Sequence, residues 1–312
     1  MDKYDLVIIG AGAAGCSAAI YATRYNLKTL LLGGSMPGGL ITEALEVENY
    51  PGYLSISGQK LSKLFLDQAT ALGSDYKAEI VTDIISRDNY FETKTHDYNY
   101  MSSSVILAMG TKHKKLGVKG EDEYRGFGVS YCSTCDGPFF KNKTVAVIGG
   151  GNSAVEGASD LSVHASQVYL IYRSDLKAAP LYIDNARNKR NVEEIPGVNV
   201  TEILGKKTVN EIVLDKEIGG TNRLSVDGVF IQIGYAPENI LAEQLGVDIS
   251  GYGYVKVDAG MGTSIKGVFC AGDLNDSSNF LHQQVTSAAE GAIAAQSVFR
   301  YIRGMDYLIK QN

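Results

Sequence analysis

Two cysteines stand at CxxC spacing, Cys132 and Cys135, with Asp136 directly behind, in the stretch SYCSTCDGP. Such a pair can be half of a zinc site, a dithiol that cycles through a disulfide, or two buried thiols that are merely close. A thiol acts as a nucleophile through its thiolate. At this spacing a first helical turn can form around both sulfurs, lower one pKa and let the pair close into a disulfide. Asp136 would then supply the proton donor or acceptor that thiol–disulfide exchange uses. Zinc asks for about four ligands. The four histidines, His96, His113, His164 and His282, are scattered without ligand spacing, so only the fold could gather them, and no metal is expected. Cys16 and Cys270 sit in the small apolar settings AAGCSAA and VFCAG and read as buried packing.

The elements that must position this pair follow an α/β plan. YDLVIIG is a short apolar run of the kind that forms a buried parallel strand. It is followed by Gly10-x-Gly12-x-x-Gly15, a stretch of helix formers, and a second apolar run, LKTLLLG. The same order returns in KTVAVIGGGNSAVEGASDLS, with Gly149-x-Gly151-x-x-Ala154 at the turn and QVYLIYRS as the next strand. One GxGxxG is a weak signal; two, each between an apolar strand and a helix, are strong. In both, glycine permits a sharp turn and close backbone approach, and the helix N-terminus offers free N–H groups to a pyrophosphate. Between the units, residues 78–110 alternate polar and apolar and read as a small β-meander with its tyrosines on the strand surface. Residues 211–234 read as a hairpin with Gly219, Gly220 and Asn222 near its turn. The end reads as a strand, a loop carrying Asp273, and a long helix of small residues.

Composition narrows the function. The 312 residues allow about two domains. A formal net charge of -6 argues against a nucleic-acid surface. No run of about 18 apolar residues is present to span a membrane. The first residues lack the pattern of a signal peptide, so a cytoplasmic location is expected. Four cysteines in so long a chain do not make a disulfide scaffold.

The motifs GAGAAG, EVENYPG, YCSTCDGPFF, VIGGGNSAVEGA, IQIGYAP and GVFCAGD, in this order over nearly the whole chain, resemble the low-molecular-weight thioredoxin reductases. Placement of the CxxC shortly before the second glycine motif is the most specific of these. The resemblance implies two Rossmann-like dinucleotide-binding domains, the second inserted into the first. The FAD domain would comprise residues 1–113 and 241–312, and the pyridine-nucleotide domain, with the redox pair, residues 114–240. It implies FAD on Gly10, Gly12, Ala13 and Ala14, with Gly39, Leu40, Asn49, Gly110, Gly272, Asp273 and Gln283 around it. Leu40 stands where the family has glutamine. No acidic residue closes the second strand, so backbone N–H groups at Gly33 and Gly34 are expected to hold the ribose. It implies that Cys135 faces the flavin, Cys132 attacks the partner, and Asp136 protonates the leaving thiolate. It also implies a rotating inserted domain, hinged near 112–117 and 234–239, and a homodimer.

The pyridine nucleotide is expected on Gly149, Gly151, Asn152, Ser153, Ala154, Glu156 and Gly234, with Arg173 and Lys177 near a 2′-phosphate. The family's His-Arg-Arg run is reduced here to Tyr172-Arg173-Ser174, followed by Asp175. Bidentate arginine forks hold phosphate best, so NADPH and NADH should be poorly distinguished, and a ferredoxin-type donor stays open. The expected partner is a thioredoxin-like protein. A flavoprotein reductase of a peroxidase partner is another alternative; such flavoproteins usually carry an extra N-terminal CxxC module, and the start at the FAD strand argues against that expectation. A non-enzymatic nucleotide or zinc module is the remaining alternative.

Overall fold

The structure, a computed structural model, describes residues 2–34, 37–44 and 46–304. The chain divides into two compact units, Met1–Lys112 with Pro237–Asn312, and His113–Ala236. In chain order the first unit opens with β1 (Asp2–Ile9), α1 (Ala13–Arg24), β2 (Thr29–Leu32), α2 (Gly58–Ala71), β3 (Asp75–Lys77), β4 (Val81–Ser86), β5 (Phe91–Thr95) and β6 (Asn99–Leu107). A short strand, β7 (Thr111–His113), leads out. The second unit holds β8 (Val129–Ser130), α3 (Ser133–Asp136), β9 (Thr144–Ile148), α4 (Asn152–Leu161), β10 (Gln167–Tyr172), α5 (Pro180–Arg187), β11 (Val192–Pro196), β12 (Val200–Gly205), β13 (Val209–Ile218), β14 (Thr221–Ser225) and β15 (Gly228–Ile231). The chain returns by β16 (Tyr235–Pro237) and ends with α6 (Ile240–Leu245), β17 (Val268–Cys270) and α7 (Gln284–Ile302).

The first unit is built on a sheet of order β3-β2-β1-β6-β5-β4, with β17 also on β6. β1 pairs in parallel with β2 and β6, and β17 in parallel with β6. The expected meander exists, but it is not separate. The first half of β6 pairs antiparallel with β5, while Val105–Leu107, fully buried, pair with β17. One strand thus serves both the meander and the nucleotide sheet. Tyr100 is accordingly not on the surface: it is 1% exposed, and its hydroxyl donates to Glu79. Burial of Leu6, Ile8 and Leu31 under α1 and α7 anchors this sheet, each contributing about 1.5–3 kcal/mol. α7 lies close on α1 because position 291 is glycine; a Cβ there would fall 2.0 Å from the Ala14 carbonyl oxygen.

The second unit has a five-stranded sheet of order β11-β10-β9-β15-β8, in which every pairing is parallel. A three-stranded antiparallel sheet, β12-β13-β14, stands beside it. The hairpin turn is Gly219-Gly220, both at positive φ, between Ile218 and Thr221. Two consecutive positive-φ positions match the twist of the flanking strands. Asn222 lies just past the turn, in β14, and residues 228–231 belong to the parallel sheet rather than to the hairpin. Among the described residues no helix is long and apolar enough to cross a membrane.

Candidate active site

Cys132 and Cys135 form a disulfide. Cys132 is the N-cap of α3, and its sulfur accepts the Cys135 backbone N–H at 3.0 Å. Free N–H groups at a helix start stabilise negative charge, and so favour thiolate at Cys132. Cys135 is exposed and Cys132 half-buried. Asp136 closes α3, half-buried, with its backbone N–H on the Cys132 carbonyl at 3.2 Å. Cys16 and Cys270 are buried free thiols, as their settings predict. Burial pushes the Cys16 thiol up to about 12 and raises that of Cys270 as well, so neither competes as a thiolate. No group of three metal-ligating side chains occurs among the described residues.

In the first unit the glycine turn forms one wall of a cleft. Gly10, Gly12, Ala13, Ala14, Gly33, Gly39, Leu40, Gly110, Gly272 and Asp273 all line it. Gly10 is required where it stands: its φ is +110°, and a Cβ would lie 2.2 Å from the Ala108 carbonyl oxygen. The first intrahelical bond of α1 runs from Cys16 N–H to Gly12 O, and Gly12 brings no capping side chain. The N–H groups ahead of that bond are therefore left for a ligand. Asn49 and Gln283 are absent from the cleft lining but meet each other, Asn49 Nδ2 donating to Gln283 Oε1 at 3.0 Å.

The ribose expectation at Gly33 and Gly34 fails. Gly33 N–H donates to Lys77 O at 3.0 Å and Gly34 N–H to Glu79 O at 3.1 Å, so both groups are already used by the chain beside β2. Gly33 is small for another reason: a Cβ would sit 2.6 Å from the Tyr76 ring.

Sequence reasoning also missed Glu290. This carboxylate is 5% exposed and accepts from Gly272 N–H at 2.8 Å, Asn275 Nδ2 at 2.7 Å and Ser278 Oγ at 2.5 Å. A buried charge is tolerated when it is this fully bonded. Here it folds the loop that delivers Asp273, whose Oδ1 accepts from Ser287 Oγ at 2.7 Å. An acidic residue inside a run of small ones, AAEGA, was the available signal. Gln284 was missed too; it lines the cleft, and its Oε1 is buried without a partner among the described residues. The uncapped helix start, the orphaned amide oxygen and the Asp273 carboxylate fit a dinucleotide.

In the second unit Gly149 has φ +146°, and a Cβ there would fall 2.1 Å from the Gln232 carbonyl oxygen. Gly151 caps α4 without a side-chain bond, leaving N–H groups at Asn152, Ser153 and Ala154. The loop after β10 lies across this turn. Lys177 N–H donates to Gly150 O at 2.6 Å, and Ala179 N–H to Asn152 Oδ1 at 2.8 Å. The side chains of Arg173 and Lys177 are exposed. Arg187 is bound by Glu194, and Tyr172 donates to the same carboxylate at 2.5 Å. The Arg187 bond holds the Glu194 carboxyl below its usual range. Glu156 is half-buried; burial raises its pKa, and a hydrogen bond with Tyr182 opposes this. Gly234, at φ +95°, has open space around it.

The sequence profile of the pyridine nucleotide-disulphide oxidoreductases matches residues 4–295. A Bacillus subtilis thioredoxin reductase is 39% identical over 98% of this chain and 97% of its own length. The solved structure of a Lactococcus lactis thioredoxin reductase superposes with a TM-score of 0.90 at 36% identity, covering 96% of this chain and 99% of that one. A ferredoxin-flavin thioredoxin reductase from Clostridium acetobutylicum gives a TM-score of 0.54 at 32% identity, over 97% of this chain and 99% of its own.

Proposed function

The chain belongs to the pyridine nucleotide-disulphide oxidoreductases, and among them to the thioredoxin reductases, and from that premise we propose that it moves electrons from a pyridine nucleotide to a thioredoxin-like protein. It is an FAD-dependent disulfide reductase. The observation that carries the proposal is the Cys132–Cys135 disulfide at the head of α3, with the Cys135 N–H aimed at the Cys132 sulfur.

Gly10, Gly12, Ala13 and Ala14 would hold the FAD pyrophosphate, and Asp273, fixed by Ser287 and the Glu290 loop, would bind the flavin side chain. When bound, the flavin accepts hydride from the nucleotide and supplies an electron pair to the disulfide. The S–S bond takes that pair and opens to a thiolate and, with one proton, a thiol. The Cys132 thiolate, stabilised by the Cys135 N–H, then attacks one sulfur of the partner's disulfide. A mixed disulfide forms, and the partner's other sulfur leaves as a thiolate that Asp136 protonates. Cys135 next attacks the Cys132 sulfur, releasing the partner's second thiol and restoring the original bond. Anaerobic dithionite titration tests the scheme: two two-electron centres should reduce per chain. Reduction of the flavin alone, or a Cys135→Ser variant that reduces thioredoxin at the parent rate, would refute it.

For the donor, Arg173 and Lys177 are the basic groups past β10, and one arginine fork is a weak grip on a 2′-phosphate. NADPH and NADH are therefore both proposed as donors, with little preference. Fast, selective bleaching of the flavin by NADPH in stopped flow would overturn this. A second reading, a ferredoxin-type donor, is favoured by the loop tied across Gly150 and Asn152 and by the likeness to a ferredoxin-flavin thioredoxin reductase. Slow bleaching by both nucleotides and fast bleaching by reduced ferredoxin would select it. A cytoplasmic homodimer is part of the proposal, the dimer being checked by light scattering.

A further inference from the structure

Ser133, between the two cysteines, is held from outside the turn. Ser133 is buried, and its hydroxyl accepts from Gln232 Nε2 at 3.0 Å. Gln232 follows β15, with its backbone N–H on the Ile148 carbonyl at the end of β9. Its amide presses on α4: a Cβ at Gly157 would lie 2.2 Å from Gln232 Oε1. Glycine in mid-helix weakens the helix, and here it makes room for that amide. Gln232 Oε1 is moreover buried without a partner among the described residues, an unfavourable state that the arrangement retains. On α4, burial raises the pKa of the Asp160 carboxyl, while Thr134, His164 just beyond that helix and Lys189 beyond α5 oppose the rise.

On the reading that the pair is redox-active, we propose that Gln232 is a positioning residue that clamps Ser133, and so holds the Cys132 sulfur where the Cys135 N–H meets it. The clamp grows from the elements that carry the second glycine turn, β9, α4 and β15. It makes Cys132 the more reactive thiol of the reduced pair, although Cys135 is the more exposed.

The test is competitive alkylation of the dithiothreitol-reduced, FAD-loaded protein with limiting iodoacetamide, read as the Cys132:Cys135 labelling ratio by mass spectrometry. In the parent Cys132 should label first. Gln232→Ala should lower the ratio about fivefold, the worth of one hydrogen bond. Ser133→Ala should do the same, and the double variant should add nothing, because both remove one bond. General loosening speeds both labels and leaves the ratio alone. Should Gln232→Ala fail to fold, Ser133→Ala, which removes a single oxygen, carries the test. A parent that labels Cys135 first, or ratios unchanged in the variants, overturns the clamp. Thioredoxin turnover by the parent is assayed separately. If it is absent while the ratios shift as expected, the proposed function falls and the clamp stands.

Discussion

In the first unit a Cβ at Gly15 would fall 1.7 Å from the carbonyl oxygen of Gly10, whereas Ala154, at the matching place in the second unit, carries a Cβ and is fully buried. The two turns otherwise share a plan. Each opens on a glycine pressed against the end of a neighbouring strand, near Ala108 in one and Gln232 in the other. Their surroundings differ. The first turn is walled by Gly38–Leu40, by residues 108–111, by Gly272 and Asp273, and by Gln284 and Ser287 of α7. The second has its own following loop tied across it and keeps its cationic groups in solvent. A shared fingerprint thus sets how a pyrophosphate is approached, and the walls set how long a ligand stays. The first turn suits a resident group and the second a transient one.

The comparison breaks most sharply at the glycines. Gly15→Ala should drive a methyl into backbone, destabilise the protein by about 3 kcal/mol or more, and yield protein without flavin. Gly151→Ala meets no atom within 4 Å, so flavin absorbance should persist while the nucleotide KM rises about tenfold. Equal flavin loss in both would show that the turns are not specialised. Next in size, Glu290→Gln keeps the shape but weakens three charge-assisted bonds. It should lower stability by about 1–3 kcal/mol and speed flavin release in dialysis. Smaller still, Arg173→Ala should raise the KM for NADPH severalfold, up to about tenfold, and leave NADH little changed, whereas Arg187→Ala, already bound by Glu194, should discriminate between neither.

The smallest effect is a pH dependence. Asp160 has its pKa raised by burial, above an ordinary value of 3.8. Its native state therefore holds the proton more tightly than the unfolded chain does. Its contribution is fully present below that value and is lost as pH rises through the folded pKa. Asp160→Asn keeps the side-chain shape without the buried carboxylate. Melting temperatures between pH 4 and 7 should show the variant gaining on the parent as pH rises; a constant gap would reject the assignment.

Much of this was legible because it is local. The two turns, the CxxC helix start and the buried thiols at Cys16 and Cys270 each follow from residue type within a few positions. What escaped involved partners far apart in sequence. The meander was readable, yet nothing near β6 says that it also carries β17. Free N–H groups at Gly33 and Gly34 were a fair inference until residues 77–79 were seen to accept them. The ties from Glu290 to Gly272 and from Gln232 to Ser133 span 18 and 99 positions, and no periodicity reports them.

The sequence by itself determined the α/β plan, the two glycine turns and the close placement of Cys132 and Cys135, because glycine conformation, apolar runs and cysteine spacing are properties of short segments. The tertiary structure decided which backbone groups remained free for a ligand, which carboxylates are buried, and what holds Ser133. Those depend on where distant segments come to rest, since a hydrogen bond or a buried charge is settled by the atoms that finally surround it.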